Sequence, residues 1–195
     1  DYWKIDGLSG TGAMGVSSMF ESGNFLLRDL MTRQQVGIAS NHEIQFGTDE
    51  DITNPTDTII LGFSSSWNLN TVNAANLSLF NGSIELDIAE SSDTDIWGVE
   101  IDNTLKQIIF TAPTDGTDGY ILGGTSITVL ISDEVFINPS TAGSYLITMA
   151  ILTDEVTQNG SVEIPIVDSD TVNITGYVNA YMEFDIDTGT GETPA

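Results

Sequence analysis

Side-chain chemistry in this chain would have to begin at His42, the only histidine, because there is no cysteine. A Ser-His-Asp relay would need it, yet His42 sits in an alternating stretch beside Glu43 with no nucleophile motif near it. It reads as a half-exposed strand histidine. A glycosidase needs only two carboxylates, and 29 acidic residues supply a pair almost anywhere, so that observation selects nothing. The missing cysteines also remove disulfides, thiolate zinc sites and thiol nucleophiles, and fit either redox compartment. No catalytic residue is expected, and the chain is read as not an enzyme.

Calcium is the one ion these residues could hold, since it gathers oxygen ligands from loops. Candidate ligands are Asp93 with Asp95, Asp115 with Asp118, and Asp185 with Asp187, the last pair followed by Gly189 and Glu192. None has the twelve-residue spacing of the helix-loop-helix calcium motif. Acidic turns are expected on an acidic protein, so no cofactor is required. Trp3, Trp67 and Trp97 could line a sugar groove, or the last two could fill a core. Four glycosylation sequons begin at Asn76, Asn81, Asn159 and Asn173.

The surface that would carry these groups is strongly acidic. Four basic residues (Lys4, Arg28, Arg33 and Lys106) face 29 acidic ones, a net charge of −25. A phosphate backbone or an anionic bilayer would be repelled, so neither nucleic acid nor membrane is an expected partner. The acid is spread along a chain that is 40% apolar, which is enough for a packed core with a solvated exterior. No apolar run approaches the roughly 20 residues of a membrane helix. The numbering opens at Asp1 and not at Met, which together with the sequons reads as a mature secreted chain.

From His42 onward the apolar period is two. Ile44 and Phe46, Ile59 to Phe63, Ile84 to Ile88, Ile127 to Ile131 and Tyr145 to Leu152 read as strands. Asn54-Pro55, Asn81-Gly82, Pro113 to Gly116, Gly123-Gly124, Asn138-Pro139 and Asn159-Gly160 read as turns. Of these, Asn81-Gly82 and Asn159-Gly160 predict tight hairpins. Residues 25–37 alone carry an arguable helical spacing, through Leu26, Leu27, Leu30 and Met31, with a strand as the alternative. Residues 172–186 alternate without a slip, about 50 Å if fully extended, which predicts a closing strand far longer than usual. The pattern predicts an all-β antiparallel sandwich at 25–187, preceded by a Gly- and Ser-rich extension at 1–24 and followed by a tail at 188–195.

The segments TRQQVGIASNHEIQF (32–46), FINPSTAGSYLITMAILTDE (136–155) and VNITGYVNAYMEFDID resemble repeated Ig-like β-sandwich domains of secreted and surface proteins from uncultured, small-genome episymbiont-type bacteria. The resemblance covers 25–187 and implies an Ig-like fold and an extracellular or cell-surface location, with no reaction and no catalytic residue. In longer relatives such a domain is one module of many, whereas here it resembles a stand-alone, pilin-like filament subunit. The expected function is a structural subunit of an extracellular filament or pilus-like appendage, built from copies of itself by strand donation. Leu8, Met14, Val16 and Phe20 are the expected donor residues. The alternative is a monomeric adhesin or carbohydrate-binding module whose partner is a cell surface or glycan, supported by Tyr177, Tyr181 and the tryptophans.

Overall fold

The computed structural model describes residues 13–14, 16–19, 26–115, 118–154 and 156–170, with side chains from residue 27 onward. The expected closing strand, together with Trp3, Leu8, Phe20, Asn173, Tyr177, Tyr181, Asp185 and Asp187, lies outside the described residues.

Strands follow one another as β1 (Ala13–Met14), β2 (Val16–Met19), β3 (Leu26–Met31), β4 (Ala39–Thr48) and β5 (Thr58–Phe63). A single 3-10 turn (Ala74–Asn76) then leads into β6 (Leu77–Asn81), β7 (Ile84–Leu86), β8 (Ile88–Ala89), β9 (Trp97–Asp102) and β10 (Gln107–Thr111). Three long strands finish the described chain: β11 (Thr125–Ile137), β12 (Gly143–Leu152) and β13 (Thr157–Ile166). One layer runs β7-β6-β11-β4-β3 and the other β13-β12-β5-β10-β9-β8, and β2 is hydrogen-bonded to both. All pairings are antiparallel except β8 with β9, so the chain folds as an all-β, antiparallel sandwich.

Strict period-two patterning places the core. In β4, Ser40, His42, Ile44, Phe46 and Thr48 point inward. Ile44 and Phe46 share one buried core with Ile59, Leu61 and Phe63 of β5 and Val162, Ile164 and Ile166 of β13. The arguable helix is a strand: Leu27, Asp29 and Met31 of β3 are buried on one side, the period of two and not of 3.6. Trp67 and Trp97 are 1% and 0% exposed, so both fill the core and neither lines a sugar groove. Trp97 also donates its indole N–H to the carbonyl of Gly119 at 2.7 Å.

Three local expectations are corrected. At Asn81-Gly82 the hairpin forms one residue later than expected: Asn81 pairs with Ile84, and the two loop residues are Gly82 and Ser83. Only Gly82 takes positive φ (61°), so one glycine suffices where a two-residue left-handed turn was expected. Ile84, at the start of the short edge strand, is 65% exposed and not in the core. Asn159-Gly160 is no turn at all; the pair lies inside β13 opposite Ala150 and Met149. The turn is set four residues earlier, where Leu152 pairs with Thr157 and Thr153 N–H bonds to the carbonyl of Val156 at 3.0 Å.

Gly160 serves packing. A β-carbon there would stand 3.3 Å from Met149 Cε, the movable end of that side chain, and 3.5 Å from Leu27 Cβ, so the site admits a methyl group but little more between β13 and β3 of the other layer. Gly160→Val should destabilise the fold by about 1–3 kcal/mol through overpacking, while Asn159→Thr, on the exposed face, should stay within about 0.5 kcal/mol. Urea unfolding midpoints of the two variants check this; equal midpoints would show that Gly160 is not tightly enclosed.

Candidate functional site

Two places in the fold hold unusual chemistry among the described residues: a buried ionisable pair in the core, and the seam that joins the two layers.

The pair is His42 of β4 and Asp29 of β3. His42 Nδ1 lies 2.8 Å from Asp29 Oδ2, and both side chains are fully buried. Aromatic rings enclose the histidine: Phe136 at 4.7 Å and Trp67 at 5.4 Å between centroids, with Trp67 stacked on Phe136 at 5.0 Å. The half-exposed histidine expected from its alternating stretch is therefore a core residue, and the reason is the partner on the next strand. His42 Nε2 and Asp29 Oδ1 have no hydrogen-bond partner among the described residues. No hydroxyl therefore stands where the nucleophile of a relay would have to be. The geometry gives β3 and β4 a register mark: burying one member without the other would leave a polar group unpaired in an apolar cage.

Phe136 reaches that cage through an irregularity. In β11, Ile127, Val129 and Ile131 face inward, but Ile131 pairs with His42 and Phe136 with Ser40, so residues 132–135 oppose Asn41 alone. Asp133 (φ 64°) and Glu134 (φ 50°) take left-handed backbone in this bulge, and the Asn41 side chain accepts from the Glu134 N–H at 2.7 Å. The bulge changes the inward parity from odd to even numbers and so turns Phe136 toward Trp67.

The seam is formed by residues 13–19. Ala13 and Met14 pair with Met31 and Leu30 of β3, and Ser18 and Met19 pair with Leu27 and Leu26. Between those contacts the register along β3 slips by one residue, and Val16 and Ser17 pair with Glu163 and Val162 of β13. One segment thus runs along β3 and, at its middle, bonds to the facing layer. Met14 and Val16, two of the expected donor residues, lie on this segment; in the structure it occupies its own chain's seam.

Below the seam, Arg33 fixes the described chain's last residue. Its Nε and a terminal nitrogen donate to Asp170 Oδ2 and Oδ1 at 2.7 and 3.0 Å, and Gln34 N–H adds a bond at 3.3 Å. Hydrogen bonding from Arg33 holds the Asp170 carboxyl below its ordinary range and raises the guanidinium in turn. The stabilisation is present at neutral pH and lost as pH falls through the lowered value.

The other expected site residues separate. The 93–95 and 115–118 loops do come together: Thr94 bridges Asp115, and Asp95 Oδ1 accepts from the N–H groups of Asp118 and Gly119 at 3.0 and 3.4 Å. Asp95 thereby works as a loop clamp. No three His, Asp or Glu side chains among the described residues form a ready metal cage. Of the sequon asparagines, Asn76 donates its side-chain nitrogen to Asp133 and Asn81 donates to the Tyr120 carbonyl, whereas Asn159 is exposed on β13. Unread in the sequence was an acidic cleft between the 49–57 loop and the 153–154 turn; its signal was the Asp49-Glu50-Asp51 run ahead of the Asn54-to-Asp57 turn.

No family model matches the sequence, and no curated protein matches it. Among solved structures it is similar to the N-terminal domain of the Streptococcus gordonii adhesin Sgo0707, at TM-score 0.45 and 11% identity, covering 69% of this chain and 30% of that one. The group B streptococcus pilus 2b backbone protein gives 0.42 and 13%, covering 69% and 55%. The GAE domain of GGA2p from Saccharomyces cerevisiae gives 0.28 and 10%, covering 79% and 100%. The chain thus matches about a third and about half of the length of the two streptococcal proteins. At these scores the function has to be argued from the chain's own geometry.

Removing one member of the core pair should cost far more than removing both. Asp29→Ala is expected to destabilise by about 3–5 kcal/mol, and the double change Asp29→Leu with His42→Phe by much less than the sum of the single changes. A double-mutant cycle by urea unfolding reads the coupling, and additive single-site costs would show that the two side chains do not act as a pair.

Proposed function

We propose that the chain is a structural subunit of an extracellular filament or pilus-like surface appendage, held together by N-terminal strands that pass from one copy into the seam of the next. The observation that carries this reading is the seam itself. Residues 13–19 supply the only strand among the described residues that is hydrogen-bonded to both layers, and its register along β3 slips by one residue between its two ends. A strand without one unbroken ladder exchanges more readily than one that has it. The same hydrogen bonds form whether it comes from its own chain or from a neighbour, which is the logic of strand swapping.

Composition supports the exchange. Residues 7–20 contain no charged side chain in a chain of net charge −25, so a neighbour's segment can approach without bringing its own repulsion. Six residues, 20–25, with Gly23 among them, separate β2 from β3 and give the exchange its hinge length. Because each copy gives a strand and receives one elsewhere, the contact is heterologous and repeats without closing. The adhesin or sugar-binding reading loses Trp67 and Trp97 to the core and has no comparable observation behind it.

Deleting residues 1–24 should leave folded protein that forms no filaments, and adding a peptide of residues 1–24 should raise its unfolding midpoint by filling the seam. Electron microscopy and light scattering of the full chain and the truncation check this. Unchanged filaments from the truncation, or a full chain that stays monomeric at every salt concentration tested, would overturn it.

A further inference from the structure

At the end of the sandwich where β4 stops and β5 starts, the 49–57 loop crosses from one layer to the other beside the turn between β12 and β13. A cleft of about 430 Å³ lies between them, lined by Asp49, Glu50, Asp51, Asn54, Asp57 and Asp154 among others. Five of these are carboxylates, and no cationic side chain among the described residues lines the cleft to balance them. Acidic residues on so acidic a chain would by themselves mean little. Asp57 makes the difference: it is 2% exposed, and its Oδ1 is buried with no hydrogen-bond partner among the described residues.

The rest of Asp57 is carefully held. Its Oδ2 accepts from the N–H groups of Thr53 and Asn54 at 3.0 and 2.9 Å, its own N–H bonds to the Asn54 carbonyl at 2.8 Å, and its carbonyl accepts from Ala112 at 3.0 Å. The fold thus fixes one carboxylate oxygen for the turn and leaves the other buried beside further carboxylates. A buried oxygen anion with no donor is costly, and neighbouring negative charge adds to the cost, so the missing partner should be positive. Around it, Asp51 uses Oδ1 on the Gly123 N–H at 2.7 Å, and Asp154 is occupied by Asn54 and Thr56. That leaves Asp57 Oδ1, Asp51 Oδ2 and the Asp49 and Glu50 carboxylates as the open oxygens.

We propose that this cleft binds a divalent metal cation of the calcium type, with Asp57 as the buried anchor and Asp49, Glu50 and Asp51 as the loop ligands. All the ligands are hard oxygens, on loops, in a space that admits an ion with part of its water shell, which suits Ca²⁺ better than a metal that wants nitrogen or sulfur. As the side chains stand, no three carboxylates among the described residues are grouped closely enough to hold an ion, so Asp49, Glu50 and Asp51 must swing toward Asp57 when it binds. Water therefore completes the shell, and affinity falls in the weak range of extracellular calcium modules, on the order of 10⁻⁴–10⁻³ M. Binding draws the loop that crosses between the layers toward the β12–β13 turn.

Isothermal titration calorimetry of the full chain with CaCl₂ at constant ionic strength tests the site. The expected result is saturable binding, weakened at least tenfold in Asp57→Asn and unchanged in Glu85→Gln, which alters an exposed carboxylate on β7, outside the cleft. Asparagine keeps an oxygen to accept from Thr53 and Asn54, and circular dichroism checks that the variant folds. If it does not, Asp49→Asn combined with Asp51→Asn must weaken binding severalfold instead. Heat no greater than a matched NaCl titration gives, or variants of the cleft that bind as the unaltered chain does, would overturn the site. Filament formation is not part of the readout, so the result stands apart from the strand-exchange reading.

Discussion

A two-layer sandwich has edges, and every edge strand carries unpaired N–H and C=O groups that water or another strand must satisfy. Here the constraint falls hardest where β3 and β13 face each other, because Gly160 of one is packed against Leu27 of the other. Neither strand can be left as a loose edge, since the apolar layer beneath them would open. Residues 13–19 meet both demands, pairing with β3 at each end and with β13 in the middle. The architecture follows from that closure: it makes one continuous path of two sheets, with the closing segment shared between them.

Much of the layers was readable from sequence because burial on one face imposes a period of two, and β4, β5, β12 and the first half of β11 keep it, whereas β13 was hidden by a turn-like Asn159-Gly160. What escaped the sequence was anything set by a partner far along the chain. Asn159-Gly160 carries the chemistry of a turn, but the glycine lies inside β13 against Met149 and against Leu27, 133 positions earlier, with little room for a larger side chain. His42 alternates like a half-exposed residue and is buried because Asp29 waits on β3. The bulge at 132–135 shows no local signature, since the left-handed Asp133 and Glu134 are stabilised by Asn41 from a neighbouring strand. The candidate sites divide the same way. Met14 and Val16, the expected donor residues that fall on the seam, stood out as apolar groups among small ones, whereas Asp57 looks like any turn aspartate until its burial is known.

Polar groups in the interior are few and are placed where register matters. Asp29 with His42 ties β3 to β4, and Ser40 lies two residues away on the same buried face, meeting Thr32 at 3.3 Å and the Arg33 N–H at 3.1 Å. Apolar side chains alone tolerate a slip of two residues along a strand, because the inward set is preserved. A buried acid and a buried base on neighbouring strands do not tolerate it, because each would lose its partner. β3 is the strand that most needs such a mark, being only six residues long and carrying the seam on its other side.

The acidity of the chain constrains assembly more than it constrains the fold. Two subunits of charge −25 repel, and screening at physiological salt confines that repulsion to about 8 Å without removing it at contact. An interface between copies must then rest on interactions indifferent to net charge. Backbone hydrogen bonds and neutral side chains are of that kind; residues 7–20 carry no charge, and the described part of them, 13–14 and 16–19, pairs through its backbone. Carboxylates kept out of the seam can cover the remaining surface, where repulsion suppresses sideways association and leaves end-to-end contact as the permitted one. The same charge that makes a lateral aggregate unfavourable would, under the strand-exchange proposal, leave a thin, unbranched polymer as the permitted assembly, with the uncharged residues 7–20 at its contacts.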